Sequence, residues 1–217
     1  MFKNKFKKFG GEYIPDIVEY IKDYIKRDPN ATIAVGCDSI QKRKRTVYAC
    51  TVMLYNGDVK DGAHVVFFRE NHLKIRDNHE RLHKEAQYVH DIATYLDNEL
   101  QGSFSRNDLS DLERKRYKYH LSRCDGQNGH LLPHQEESFI RHIPLTEYES
   151  TNQYRLVDIH VDFNPNEGSL NEKGVCKNKS YFAYKAYVPW LRGLNFRVFS
   201  KPSSPASSSA ADLLLQD

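Results

Sequence analysis

No stretch of this 217-residue chain is apolar for long enough to cross a bilayer as a helix. The basic start, Met1-Phe-Lys-Asn-Lys-Phe-Lys-Lys8, leads into no apolar signal core, so no secretion signal is expected. Cysteine is sparse, and Cys37, Cys50, Cys124 and Cys176 form no C-x-x-C pair. Cys37 and Cys50 fall in apolar, strand-like runs, where a free thiol packs as a small hydrophobe, and a reducing cytoplasm is the simplest setting. Charge of one sign is not in large excess. A net charge of +3 does not by itself establish nucleic-acid binding, so a phosphate partner would need a local basic patch. No internal repeat is visible. With 39% hydrophobic and 28% charged residues, the chain is expected to form one core under a generous polar surface.

Residues 12–27 predict an amphipathic helix, with Ile14, Ile17, Val18, Ile21, Tyr24 and Ile25 at helical spacing and Asp28-Pro29-Asn30 as its stop. Residues 31–37 predict a strand buried on both faces. Residues 46–55 and 63–69 predict two more strands, with short links that suggest an antiparallel meander. A long helix follows at 77–100, where Leu82, Ala86, Val89, Ala93, Leu96 and Leu100 repeat every four and three residues. Residues 101–153 are polar, rich in histidine and weakly periodic, with a short helix possible at 108–122. They are expected to be a surface insertion. A strand at 155–163, a helix at 180–193 and a last strand at 195–200 complete the pattern, before a Ser/Pro/Ala tail whose composition predicts flexibility. A meander followed by βαβ units implies a mixed sheet with helices on its faces.

Two apolar runs end in aspartate: Ala31-Thr-Ile-Ala-Val-Gly-Cys-Asp38 and Leu156-Val-Asp-Ile-His-Val-Asp162. Neighbouring strands that carry Asp at matching ends can hold two carboxylates within metal-bridging distance, and Mg²⁺ and Mn²⁺ prefer oxygen ligands. Asp158 and His160 share the face of Asp162. Glu85 borders the buried stripe of the long helix, where a carboxylate needs a cation or a hydrogen-bond partner.

Ile33-Ala-Val-Gly-Cys-Asp-Ser39 with Gln41, Leu82-His-Lys-Glu-Ala86, Asp158-Ile-His-Val-Asp162 and the tail from Lys201-Pro to Asp212 together resemble the ribonuclease H-like fold, and more closely its small bacterial and phage YkuK-type family. The resemblance covers residues 31–100 and 154–217. It implies a five-stranded mixed sheet of order 3-2-1-4-5 with helices on both faces. Residues 1–30 would then be an N-terminal helical extension, and residues 31–217 a domain carrying the insertion. It further implies a site of Asp38, Glu85, Asp162 and Asp212 that binds two Mg²⁺ or Mn²⁺ ions and hydrolyses phosphodiester bonds of RNA, DNA or a hybrid, with the tail forming a short ordered helix. The sequence departs from the family pattern at Cys37, where Thr is usual, and in the length of the insertion.

Other motifs compete. The basic loop Lys42-Arg-Lys-Arg45, flanked by Ser39 and Gln41, suits a phosphate backbone and is equally well read as a solvated hairpin tip. The N-terminal lysines 3, 5, 7 and 8 are expected to form a solvated tail. His79-Glu80-Arg81-Leu82-His83 matches the H-E-x-x-H pattern of zinc peptidases, with Glu99 as a third ligand by spacing, but Arg81 and the core residue Leu82 lie within it. Cys124, His130, His134 and His142 lack compact ligand spacing and are expected to belong to a flexible loop. The leading expectation is a cytoplasmic, divalent-metal nuclease that acts on nucleic acid. A non-catalytic nucleic-acid-binding module is the main alternative, and a zinc peptidase the lesser one.

Overall fold

A computed structural model of the chain describes residues 2–28, 31–55, 62–101, 155–168, 178–201 and 203–216. In chain order the elements are β1 (Lys7–Lys8), α1 (Ile17–Arg27), β2 (Thr32–Gln41), β3 (Arg45–Tyr55), β4 (Ala63–Leu73), α2 (Asn78–Gln101), β5 (Val157–Val161), α3 (Lys179–Gly193), β6 (Val198–Phe199) and a closing π-helix (Ala206–Ala211). The sheet order is β1-β4-β3-β2-β5-β6. The meander β2-β3-β4 is antiparallel, and β5 and β6 add on in parallel. Among the described residues the expected count of five strands is therefore corrected to six. The extra strand, β1, lengthens the expected order at the β4 edge.

Local chemistry sets the boundaries. α1 starts at Ile17 rather than at residue 12, because the Asp16 side chain caps it and accepts from the Val18 and Glu19 N–H groups at 3.0 and 3.3 Å. Tyr13, expected in that helix, instead bridges to Lys7. β4 runs to Leu73, beyond the expected 69, because β3 pairs with it along its whole length, as far as Arg45 opposite Leu73. β5 and β6 are shorter than expected. The expected insertion at 101–153, with its possible helix at 108–122 and the Cys124, His130, His134 and His142 group, lies outside the described residues apart from the backbone of residue 101.

Side-chain alternation divides the sheet into two faces. Ile33, Val35 and Cys37 of β2 join the main core with Ile17 and Ile21 of α1, Leu82, Val89 and Leu96 of α2, and Val188 and Leu191 of α3. Ala34 points the other way, onto Ala206 of the π-helix. On that second face Ala211, Leu214 and Leu215 pack against Val47, Ala49 and Phe67. Helical segments thus cover both faces. The tail that composition predicted to be flexible is ordered as a helix because its small residues fit flat against the sheet.

The N-terminal lysines do not form a solvated tail. Phe2 and Phe6 are buried in the main core, with the Phe6 ring edge-on to Phe68 at 5.0 Å. Lys5 pairs with Glu70, and Lys3 with Asp16 at 3.1 Å. At the other end of α2, the buried Asp97 accepts the Leu156 N–H at 2.6 Å and the Arg155 guanidinium at 2.7 Å. This ties the start of β5 to the last turns of α2.

Gly36 shows how closely the two layers approach. A Cβ there would fall on the Ala206 carbonyl carbon, within 2.5 Å of both the Ala206 oxygen and the Ser207 nitrogen. Both are backbone atoms that no side-chain rotation moves. Gly36→Ala is therefore expected to destabilise the fold by about 1–3 kcal/mol through overpacking. It should also free the C-terminal segment, read as a lower denaturant midpoint and faster proteolysis near residues 203–216. An unchanged midpoint would contradict this packing.

Candidate metal centre

Asp38 lies within β2 and does not end it, because pairing with β3 continues to Gln41 opposite Thr46. The parallel register sets Cys37 beside Val161. The next step along both chains is Asp38 and Asp162, about 4.8 Å apart at Cα by strand spacing, and both point to the π-helix face.

Glu85 approaches from the other layer. It is 2% exposed on α2. Ser39, one residue past Asp38, points towards α2 and donates its Oγ–H to Glu85 Oε1 at 2.5 Å. Arg81, one helical turn before Glu85, donates from Nη1 to Glu85 Oε1 at 3.1 Å, to Ser39 Oγ at 2.7 Å and to the Ser39 carbonyl at 2.9 Å. Arg81 is thus the cation that the buried glutamate required.

Asp212 continues the closing helix directly after Ala211. That helix is held at one residue, Ala206. The Thr51 hydroxyl donates to the Ala206 carbonyl at 2.7 Å, and the Ala206 N–H donates to His160 Nδ1 at 3.2 Å. Gln216 donates to Asp212 Oδ2 at 3.1 Å. Asp158 shares the face of Asp162, as expected, but accepts from Arg197 at 2.6 Å in a buried ion pair and takes a structural role.

The electrostatics connect the elements. Burial raises the Asp38 carboxyl to about 6, with further upward pushes from Asp162 and Asp212, while the Ser39 N–H at 2.7 Å and Arg81 pull it down. Burial and then Asp38 raise Glu85 to about 8, opposed by Arg81 and Ser39. Asp162 is raised by burial against the pull of Lys201, whose Nζ is 2.8 Å from Oδ2, and Asp212 adds to the rise. Asp38, Glu85 and Asp162 thus raise one another, and the exposed Asp212 acts on Asp38 and Asp162.

The donor set suits a hard divalent cation. Asp162 Oδ1 is buried with no hydrogen-bond partner, an oxygen left for a ligand. Among the described residues, however, no three His, Cys, Asp or Glu side chains form a finished ligand cage. Two of the four carboxylates are instead met by cations, Glu85 by Arg81 and Asp162 by Lys201.

The remaining sequence candidates separate by face. Lys42, Arg43, Lys44 and Arg45 form the hairpin tip, closed by the Lys42 N–H donating to the Arg45 carbonyl at 2.8 Å. Ser39 and Gln41 each have a protein partner: Ser39 serves Glu85, and the exposed Gln41 donates to the Ile75 carbonyl at 2.6 Å. His79 and His83 stand against Phe182 and Tyr187 of α3, with ring centroids 6.1 and 5.3 Å apart. Glu99 lies 16 residues beyond His83 on one helix, about 24 Å away along its axis. The peptidase motif is thus part of a helix–helix contact, and its Arg81 belongs to the Glu85 network. Sequence reasoning missed Arg81, Lys201 and the Thr51–Ala206–His160 clamp. Only Arg81 carried a signal, its four-residue spacing from Glu85.

A family model described as Ribonuclease H-like matches residues 16–121. This supports the ribonuclease H-like family. The match spans Asp38 and Glu85 and stops short of Asp162 and Asp212. The chain has no significant match among curated proteins or among solved structures. Among the described residues, no helix is long and apolar enough to cross a membrane.

The raised carboxyls make stability depend on pH. In the fold Asp38 sits at about 6 against an ordinary 3.8, and Glu85 at about 8 against 4.5. The folded chain therefore binds more protons than the unfolded chain between those limits. Their stabilising contribution is complete below the ordinary carboxylate range and is lost as pH rises through about 8. Without divalent metal, the melting temperature should fall between about pH 5 and about pH 8.5, and Asp38→Asn should flatten the fall. A melting temperature that rises across this window would refute the cluster's electrostatics.

Proposed function

We propose that the protein is a divalent-metal-dependent nuclease that hydrolyses phosphodiester bonds of nucleic acid, with Asp38, Glu85, Asp162 and Asp212 as ligands for two Mg²⁺ or Mn²⁺ ions. The observation that carries this reading is the electrostatic coupling of a buried Glu85 on α2 and partly buried Asp38 on β2 and Asp162 at the end of β5 with the exposed Asp212 of the closing helix. A fold spends stability on such an arrangement where a cation is to be bound. The motif resemblance adds a finer placement, in the YkuK-type group, to the same proposal. The thiols of Cys37 and Cys50, unlinked with sulfurs 3.5 Å apart, support a reducing, cytoplasmic setting.

The protein's own groups have distinct tasks. The Ser39 N–H fixes one oxygen of Asp38 and leaves the other for a ligand. Ser39 Oγ and Arg81 aim Glu85 from the opposite layer. Asp162 holds Lys201 on Oδ2 and keeps Oδ1 for the site. The Ala206 clamp sets the position of Asp212. When bound, the divalent ions would supply Lewis-acid activation of the attacking water and stabilise charge on the leaving 3′ oxygen.

A second reading, a nucleic-acid-binding module without turnover, is favoured by Arg81 and Lys201, which already balance two of the carboxylates. One experiment separates the two. Asp38→Asn and Asp162→Asn should each abolish Mn²⁺-dependent cleavage of nucleic acid. Each should leave the melting temperature at pH 8 unchanged or raised, since a neutral amide relieves the repulsion. Cleavage that persists in both variants sinks the nuclease assignment, and absence of cleavage by the wild type favours the binding module.

A further inference from the structure

Outside the carboxylate cluster, cations gather at one corner of the molecule. Lys42, Arg43, Lys44 and Arg45 form the tip of the β2–β3 hairpin, and Lys74 and Arg76 follow the end of β4. Two hydrogen bonds tie these segments together. Gln41 donates to the Ile75 carbonyl at 2.6 Å, and the Ile75 N–H donates to Thr46 Oγ1 at 3.0 Å. Arg45 pairs with Leu73, so the hairpin tip and the chain leaving β4 stand side by side. α2 then brings Lys84 to the same place. Lys74, Arg76 and Lys84 line one groove of about 610 Å³, together with His72 and Leu73.

The fold does not engage these cations. Among the described residues, none of the four at the tip or the three in the groove makes an ion pair, a side-chain hydrogen bond or a ring contact. Lys5, Lys8 and Arg81, by contrast, each meet a carboxylate. Arg43, Lys44, Arg45, Lys74 and Arg76 are exposed, and Lys42 and Lys84 are half-buried. Two acids border the groove, Asp77 and Glu80. Asp77 Oδ1 accepts the His79 N–H at 3.0 Å at the start of α2. Glu80, one turn before Lys84, makes no ion pair with it among the described residues. Seven cations thus face two carboxylates, in a chain whose whole net charge is +3. Leu73 is 90% exposed, while the ring in the lining, His72, is held against Tyr48 and Tyr88. The groove therefore offers charge and little aromatic surface.

We infer that the hairpin tip and this groove form a docking surface for the phosphate backbone of a nucleic-acid duplex, beside the carboxylates and separate from them. Cations without protein partners select polyanions, and Arg and Lys together give forked and point contacts to phosphate oxygens. A duplex is favoured because it carries one charge per about 1.7 Å of axis, twice the density of one strand. Single-strand sites add aromatic platforms, which this groove lacks. The surface stands at the end of the sheet where Asp38 lies. Lys42 follows Asp38 by four residues, about 13 Å at strand rise and roughly four base-pair rises. Between them Ile40, on the face of Asp38, is 38% exposed, although its partner Val47 is covered by the closing segment. The choice of nucleic acid as occupant rests on the nuclease reading, and the dock itself rests on charge.

The test uses the full wild-type chain in EDTA, so that binding is read without turnover. Fluorescence anisotropy compares a labelled DNA duplex with its single strand. The duplex should bind more tightly, and its affinity should fall as salt rises. Lys74→Ala, Arg76→Ala and Lys84→Ala should each lower the slope of log affinity against log salt by about 0.9. The triple variant should bind the duplex about tenfold or more weakly at about 0.1 M salt, with a melting temperature unchanged or raised. The charge-keeping set Lys74→Arg, Arg76→Lys and Lys84→Arg should retain the wild-type slope. The dock is overturned if the triple alanine variant binds the duplex as before. It is equally overturned if the wild-type chain binds no nucleic acid, prefers the single strand, or binds phosphatidylserine vesicles and not the duplex. Mn²⁺-dependent cleavage is a separate readout. Duplex binding without cleavage by the wild type removes the nuclease reading alone, and cleavage with unchanged affinity in the triple variant removes the dock alone.

Discussion

Two hydrogen bonds to the backbone of a single residue, Ala206, hold the carboxylate face together. Thr51 from β3 grips the Ala206 carbonyl, and His160 from β5 accepts the Ala206 N–H. These strands flank β2, whose Gly36 leaves the space that lets the peptide lie flat between them. Both contacts are buried, and a buried peptide group left unpaired costs more than an exposed one. The imidazole must accept at Nδ1, so its proton is on Nε2. One residue thus fixes the register of a short, small-residue helix that would have little reason to order alone, and Asp212 is positioned by interactions six residues before it.

The second constraint is charge. β2 sends Asp38 to one face and Ser39 to the other, so the cluster draws carboxylates from both layers although the sheet lies between them. Arg81 and Lys201 offset part of the repulsion. They do not remove it, since Asp38 and Glu85 stay well above the ordinary carboxylate range. Such a conflict between local cost and overall fold is expected where selection acts on chemistry as well as on stability.

The central strand, the meander and the stripe of α2 were legible because burial leaves a plain periodicity: Ile33, Val35 and Cys37 alternate, and Leu82 to Leu100 recur at helical spacing. Asp38 and Asp162 were legible for the same reason, each standing at the end of an apolar run. Asp212 was not. A Ser/Pro/Ala tail has no intrinsic signal for order, and its helix exists only because Gly36, Thr51 and His160 receive it. Only the motif resemblance pointed there. β1 was hidden among lysines, because the eye reads Lys3, Lys5, Lys7 and Lys8 as solvated while Phe2 and Phe6 carry the burial. Ser39 and Gln41 were assigned to a ligand surface by proximity to Asp38, and parity along the strand sets both on the face opposite to Asp38, Ser39 buried and Gln41 exposed.

The Asp97 pairing at the base of β5 has a consequence for how this fold tolerates change. One buried carboxylate receives both Arg155 and the Leu156 N–H, so the chain leaving α2 and the chain entering β5 meet at a closed neck. Whatever sequence joins residue 101 to residue 155 begins and ends at nearly the same place. Closing a longer connection there is cheap, about 0.6 kcal/mol for each doubling of its length. The parallel pairing of β2 with β5, and with it the alignment of Asp38 and Asp162, is therefore insulated from the size of that connection. Evolution is free to lengthen, shorten or replace it as a module while the carboxylate face stays in register.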